Sequence, residues 1–341
     1  MRQPTPRHLW FAALTLGLTS LLIATVGFVY VLETKQTLLS TPRQYTSEAA
    51  ANVAPFPVSV DPVAQVIEED PQFTRFYRET LAQTADLPDR GTWQGALTAG
   101  LLQYDWFQQL AAPVSRVVVI WPGEREAQVV DSIGDILRWD ATERETFTRL
   151  MASSSPTPVA EGTYYPGRYI THRYATPHDL HELISQRFQT DIATRYTPAV
   201  EARVPLADAL IIASLIEREA SDFTNMREVS GVIWNRLFID MPLQLDATLQ
   251  YVRGSDPYEP AWWPAVRPAD KFLSSPFNTY EQAGLPPAPI ANPSLAAVLA
   301  ALNPIQTDCL YYFHTERGEY VCTTTYEEHV QELRARYGRS S

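Results

Sequence analysis

The run LADALIIASLIEREA at 206–220 holds the two side chains best suited to acid–base chemistry, Glu217 and Glu219. Its apolar residues cover most of the circumference of a helix, and a helix that is apolar all round is buried. Both glutamates stand at its carboxyl end. Poor hydration there disfavours a carboxylate and raises its pKa. A glutamic acid that stays protonated near neutral pH can donate its proton to a glycosidic oxygen. Glu217 shares a face with Ser214, Ala213 and Leu210, and Glu219 with Ile212, Leu215 and Ile216. Both faces are apolar, so periodicity does not choose between them. A helix end held by ion pairs to Arg218, Arg227 or Arg236 accounts for the same residues.

Three polar clusters follow in loop-like sequence. Residues 241–248 include Gln244, Asp246 and Thr248; 278–280 read Asn278, Thr279, Tyr280; 284–293 are rich in proline and contain Asn292. Amides, hydroxyls and a carboxylate on proline-fixed backbone suit a sugar-binding cleft, with Trp262, Trp263 and Tyr280 available to stack on sugar rings. Ordinary Asx turns and proline loops are the plainer reading. His178, His181 and Glu182 lack both the His-Glu-x-x-His order and a third partner, so they read as a surface helix and no metal is expected. No phosphate-binding glycine loop or Gly-x-Ser-x-Gly elbow occurs, and no cofactor is implied.

These residues need a scaffold, and the rest of the 341-residue chain reads as an α+β protein in several parts. Residues 9–32 contain no charge and would form a helix about 36 Å long, enough to cross a ~30 Å hydrocarbon core. Trp10 and Tyr30 sit near its ends. No small-residue cleavage site follows, so 9–32 reads as a retained transmembrane helix behind a cytoplasmic tail at 1–8. The chain beyond it would then face the periplasm or cell wall from the inner membrane. Residues 33–62 read as a stalk, and 63–112 as a helical region without evident chemistry. At 113–200 a β-branched run at 117–121 ends in Pro122-Gly123. A helix follows with apolar residues at Ala127, Val130, Ile133, Ile136 and Leu137, then a second with Thr142 and Glu145 spaced as a capping box. An aromatic, strand-like stretch at 164–174 and a helix capped near Thr176 complete this small α+β module. The remaining 201–341 form the domain that carries the polar clusters. The net charge of −12 argues against a nucleic-acid partner, because phosphate neutralisation needs a basic face. Only two lysines occur, Lys35 and Lys271. Cys309 and Cys322 flank an apparent hairpin and could pair in an oxidising compartment or remain two buried thiols.

Taken in order, ASLIEREA at 213–220, GVIWNRL at 231–237 (with Asn235), MPLQLDAT at 241–248, NTY at 278–280, GLPP at 284–287, LYYF at 310–313 and YEEH at 326–329 closely resemble the endolytic murein transglycosylases of the MltG/YceG-like family. EGTYYP at 161–166 resembles the segment that precedes the family's catalytic domain, and 117–137 its LysM-like module. The resemblance implies that the first glutamate of the Ile-Glu-x-Glu block, Glu217, is the catalytic acid/base, with Glu219 the second candidate. It implies cleavage of the β-1,4 bond after N-acetylmuramic acid in peptidoglycan glycan strands, leaving a 1,6-anhydro end. It implies action on nascent strands beside the cell-wall synthases, from a single membrane helix. Asn235, Gln244, Asp246, Thr248, Asn278 and Tyr280 become substrate-binding candidates. A membrane-anchored glycan-binding scaffold and a muramidase hydrolysing the same bond are the alternatives. A retaining hydrolase needs a second carboxylate about 5 Å away, for which Asp246 and Glu219 are the candidates. Gly167-Arg168, Ser294 and Cys322 depart from the family's usual residues.

Overall fold

A computed structural model of the chain describes residues 54–338 except 72, 85–99, 101–114, 156, 158 and 260. The apolar segment at 9–32 and most of the expected stalk lie outside the described residues. Among the described residues no helix is long and apolar enough to cross a membrane.

Two hydrophobic cores organise an α+β fold. The smaller belongs to the region read as 113–200. Strand Ser115–Ile120 pairs antiparallel with strand Gly167–His172, Ser115 opposite His172 and Ile120 opposite Gly167. Helices Glu126–Leu137 and Ala141–Ser154 lie between them in sequence, giving the order β-α-α-β. At the end of the first strand Gly123 turns the chain with φ +80°, a conformation that favours glycine. In the first helix Val129, not the exposed Ala127, joins Val130, Ile133 and Leu137 on the buried face. Val129 lies four residues before Ile133 and so projects from the same side. The second helix, expected at 140–150, runs Ala141–Ser154, but its capping box is Asp140 with Glu143, not Thr142 with Glu145. Asp140 accepts from the Glu143 N–H at 2.9 Å, and the Glu143 carboxylate accepts from the Asp140 N–H at 2.9 Å. Aspartate caps as well as threonine, and the preceding Trp139 is buried against Phe147, which fixes the point of entry.

Helix Pro177–Asp191, capped by Thr176, links the two cores: Leu180 and Ile184 join the smaller, Phe188 the larger. The larger core is built round helix Leu206–Glu219, in which every residue from Ala209 to Ile216 is buried. It packs against helices Leu295–Leu302 and Phe223–Phe238. Fully burying one Leu or Ile is worth roughly 1.5–3 kcal/mol, so this apolar helix is stable only inside such a core. Gly231 allows the close approach of residue 305; a Cβ there would lie 2.4 Å from the Ile305 carbonyl oxygen.

Residues 56–60, read as stalk from their composition, also enter the larger core through Phe56, Val58 and Val60. Their alternate spacing suits an extended segment, and the Ser59 backbone N–H donates to the Leu302 carbonyl at 3.0 Å. At the other end, strands Tyr311–His314 and Tyr320–Thr323 form a hairpin. A Cys309–Cys322 disulfide closes it, and helix Tyr326–Tyr337 follows.

Asn292 fastens the small module to the large domain. Its backbone N–H donates to the Glu124 carbonyl at 2.8 Å, and its carbonyl accepts from the Gly123 N–H at 2.9 Å. Its side-chain oxygen accepts from the N–H groups of Gly162 and Tyr164, both at 3.0 Å.

Candidate active site

Glu217 and Glu219, two residues apart on one helix, face different surroundings. Glu217 Oε2 accepts from the Ser294 backbone N–H at 2.9 Å and from the Ser294 hydroxyl at 2.6 Å. Ser294 is the N-cap of helix Leu295–Leu302, whose amino end carries a partial positive charge. Burial pushes the Glu217 carboxyl above its ordinary value, while both Ser294 bonds and the Arg218 charge oppose the rise. The Glu217 side chain abuts the Gly123 turn of the small module.

Glu219 opens on a cleft of ≈ 930 Å³ walled also by Arg236, Gln244, Asp246, Lys271, Tyr280 and Tyr312. Its Oε2 accepts from the Tyr312 hydroxyl at 3.0 Å. Burial again raises its pKa, and here the neighbouring Asp246 charge adds to the rise; the Tyr312 bond, the Ala247 N–H and Arg218 oppose it. Its place in the last helical turn also disfavours a negative charge.

Asp246 begins helix Asp246–Gly254 and accepts from the Tyr280 hydroxyl at 2.6 Å. Gln244 sits in the left-handed region, φ +51°, with its N–H bonded to the Thr279 carbonyl at 2.9 Å, and it lines the cleft. Thus Glu219, Gln244, Asp246 and Tyr280 come together.

The other candidates hold loops in place. Thr248 is buried and donates to the Leu245 carbonyl at 2.7 Å. Asn278 is buried; its amide donates to the carbonyls of Lys271 and Leu273, and its oxygen accepts from the Tyr280 N–H. Asn235 donates to the carbonyls of Thr307 and Cys309 and does not line the cleft. His178 and His181 line a separate cavity of ≈ 690 Å³ on the small module. Among the described residues no group of three metal-ligating side chains occurs.

The chain matches the YceG-like family over residues 64–335. It belongs to that family. It is 29% identical over 231 residues to an endolytic murein transglycosylase of Bacillus subtilis, covering 62% of each chain. It is 29% identical over 152 residues to an endolytic murein transglycosylase of Streptococcus pneumoniae, covering 45% of this chain and 27% of that protein. The chain therefore spans less than two thirds of the length of either relative. The crystal structure of a YceG-like protein from Listeria monocytogenes is similar in fold, with TM-score 0.53 and 24% identity over 67% of this chain and 80% of that one.

Three residues of this cleft, Tyr312, Arg236 and Lys271, and Ser294 beside Glu217, were not among the site residues proposed from sequence. Tyr312 lay within the LYYF block, but only the fold shows that it meets Glu219. Arg236 is buried and spends its guanidinium on the carbonyls of Leu310, Pro242 and Leu243, at 2.6, 3.3 and 2.6 Å. It thereby ties the hairpin to the 241–248 loop. Ser294 stood out only as a departure from the family's usual residue, with no sign of its carboxylate partner. Lys271 carried no signal beyond its rarity.

Proposed function

We propose that this YceG-like protein is a peptidoglycan lytic transglycosylase, with Glu219 rather than Glu217 as its acid/base. The observation that carries the assignment is that Glu219 lines the open cleft beside Asp246, whereas Glu217 is engaged by Ser294 at a helix amino end. The naming of the Bacillus and Streptococcus relatives supports the activity. Protonated Glu219 donates to the glycosidic oxygen as the bond from the muramic anomeric carbon breaks. The muramic C6 hydroxyl then attacks that carbon and returns its proton to Glu219, closing the 1,6-anhydro ring. No water enters the balance. Asp246, oriented by Tyr280, is placed to stabilise positive charge developing at the anomeric carbon.

The β-α-α-β order of the small module supports a LysM-like reading of 113–200. The length and lack of charge of 9–32 support a single membrane anchor, with 201–341 outside the cytoplasm beside the enzymes that make the strands.

Mass spectrometry of isolated glycan strands after incubation with the full chain tests this reading. Anhydro-muramic ends are expected. Reducing muramic ends would instead identify a muramidase, and strands bound but uncut a scaffold.

A further inference from the structure

The cleft has an uneven charge inventory. Its glutamate, Glu219, is pushed towards its neutral form, and Asp246 is engaged by Tyr280. Arg236 is consumed by backbone carbonyls, and His329 is held below its ordinary pKa by burial and the Arg236 charge. Glu316 sits in the hairpin turn. That leaves two exposed cations on the wall, Lys271 and Arg334, neither in an ion pair within 4.0 Å among the described residues.

Lys271 is the better placed. It is the sole lysine among the described residues of a chain with net charge −12. Its backbone is fixed: its carbonyl accepts from the buried Asn278 amide at 3.0 Å, and the preceding Asp270 is ion-paired to Arg253 at 3.3 Å. Its side chain is not fixed in this way. The Nζ lies 4.8 Å from the centre of the Tyr280 ring, the same tyrosine that orients Asp246. At an exposed site such a cation–ring contact is worth only about 0.5–1 kcal/mol, so it does not consume the charge as an ion pair would.

We propose that Lys271 is a specificity residue that pairs with a carboxylate on the lactyl arm of a muramic residue in the cleft. The inference rests on the transglycosylase reading. The sugar rings of the strand are uncharged, so the anion comes either from a peptide attached to the lactyl group or from the free lactyl group itself.

The test compares three preparations of strands: peptide-bearing, peptide-free with lactyl carboxylates, and peptide-free with those carboxylates converted to methyl amides. KM for anhydro-end formation, and affinity by fluorescence anisotropy, are measured for the full chain and for Lys271→Met and Lys271→Arg. The wild-type protein should prefer at least one carboxylate-bearing strand over the amidated strand by about fivefold, the upper end for an exposed ion pair. That preference should vanish in Lys271→Met, return in Lys271→Arg, and fade at ~0.5 M salt. Whichever carboxylated strand shows it identifies the source of the anion. A wild-type protein without the preference, or a preference that survives in Lys271→Met, overturns the proposal. If no strand is cut, the enzymatic reading fails, and the anisotropy data still decide whether Lys271 selects carboxylates.

Discussion

The Tyr312 hydroxyl donates to Glu219 Oε2 across 3.0 Å, joining the carboxyl-terminal hairpin to the helix that crosses the large core. The bond favours the ionised form of a carboxyl that burial otherwise drives towards neutrality. Tyr312→Phe removes the donor, so the Glu219 pKa should rise. Activity that needs protonated Glu219 is lost as pH climbs through that pKa, so the basic limb of the kcat/KM profile should move to higher pH. Because a hydrogen bond to a charged group is worth about 1.5–3 kcal/mol, the shift should reach about one pH unit or more. A profile recorded from pH 4 to 9 checks it; a basic limb that stays put or moves down refutes it.

Ser294 caps helix Leu295–Leu302 and holds Glu217 with two donors. Ser294→Ala should cost about 1 kcal/mol for the cap, visible as a lower denaturation midpoint, with turnover by the folded enzyme retained. Loss of turnover out of proportion to stability would place Glu217 in the chemistry.

Glu161 is buried where the module meets the large domain. It accepts from the Glu126 N–H at 2.8 Å and lies near the Asn292 amide, the Glu126 carboxylate and Arg125. Burial, joined by the Glu126 charge, pushes it up from 4.5 to about 8. A folded-state pKa above the unfolded value means the native state binds more protons in that window. Stability from this group is therefore full below about 4.5 and falls as pH rises towards 8. Glu161→Gln should flatten this slope in chemical denaturation measured across that range; an unchanged slope would show that Glu161 does not set it.

The disulfide joins Cys322, which sits directly across the hairpin from Tyr312, to Cys309, whose carbonyl accepts from Asn235. Cys309→Ala with Cys322→Ala should lower stability by about 2–3 kcal/mol, as expected for a short closed loop. It should also lower kcat, because Tyr312 loses its fixed position. Thermal melts and turnover of the double variant, compared with the oxidised wild type, check both effects; equal midpoints and equal turnover would contradict them.

Much of the scaffold was legible from residue patterns. The largely apolar run at 206–220 predicted the buried helix, and the β-branched run ending at Pro122-Gly123 predicted the strand and turn. Local patterns fixed element type better than register: the Asp140 cap lies two residues before Thr142, and Val129 replaces Ala127 on the buried face. Which glutamate meets the cleft was not legible. Both follow apolar faces of one helix, and their surroundings are set by residues far along the chain, Ser294 for one and Tyr312 for the other. Asn235, Thr248 and Asn278 show the same limit. A polar side chain in a loop-rich segment reads alike whether it faces substrate or bonds the backbone of the next loop.

The central claim, that Glu219 is the acid/base and Glu217 a structural carboxylate, is tested most directly by single-turnover formation of anhydro-muramic ends by Glu219→Gln and Glu217→Gln, each confirmed folded and able to bind strands. Glutamine keeps the shape of the side chain but cannot give up and retake a proton. Glu219→Gln should therefore lose about 10²–10⁴ in rate, while Glu217→Gln, still able to accept from Ser294, should stay within about tenfold of the parent. A Glu217→Gln variant that is inactive beside a Glu219→Gln variant that turns over would contradict this assignment.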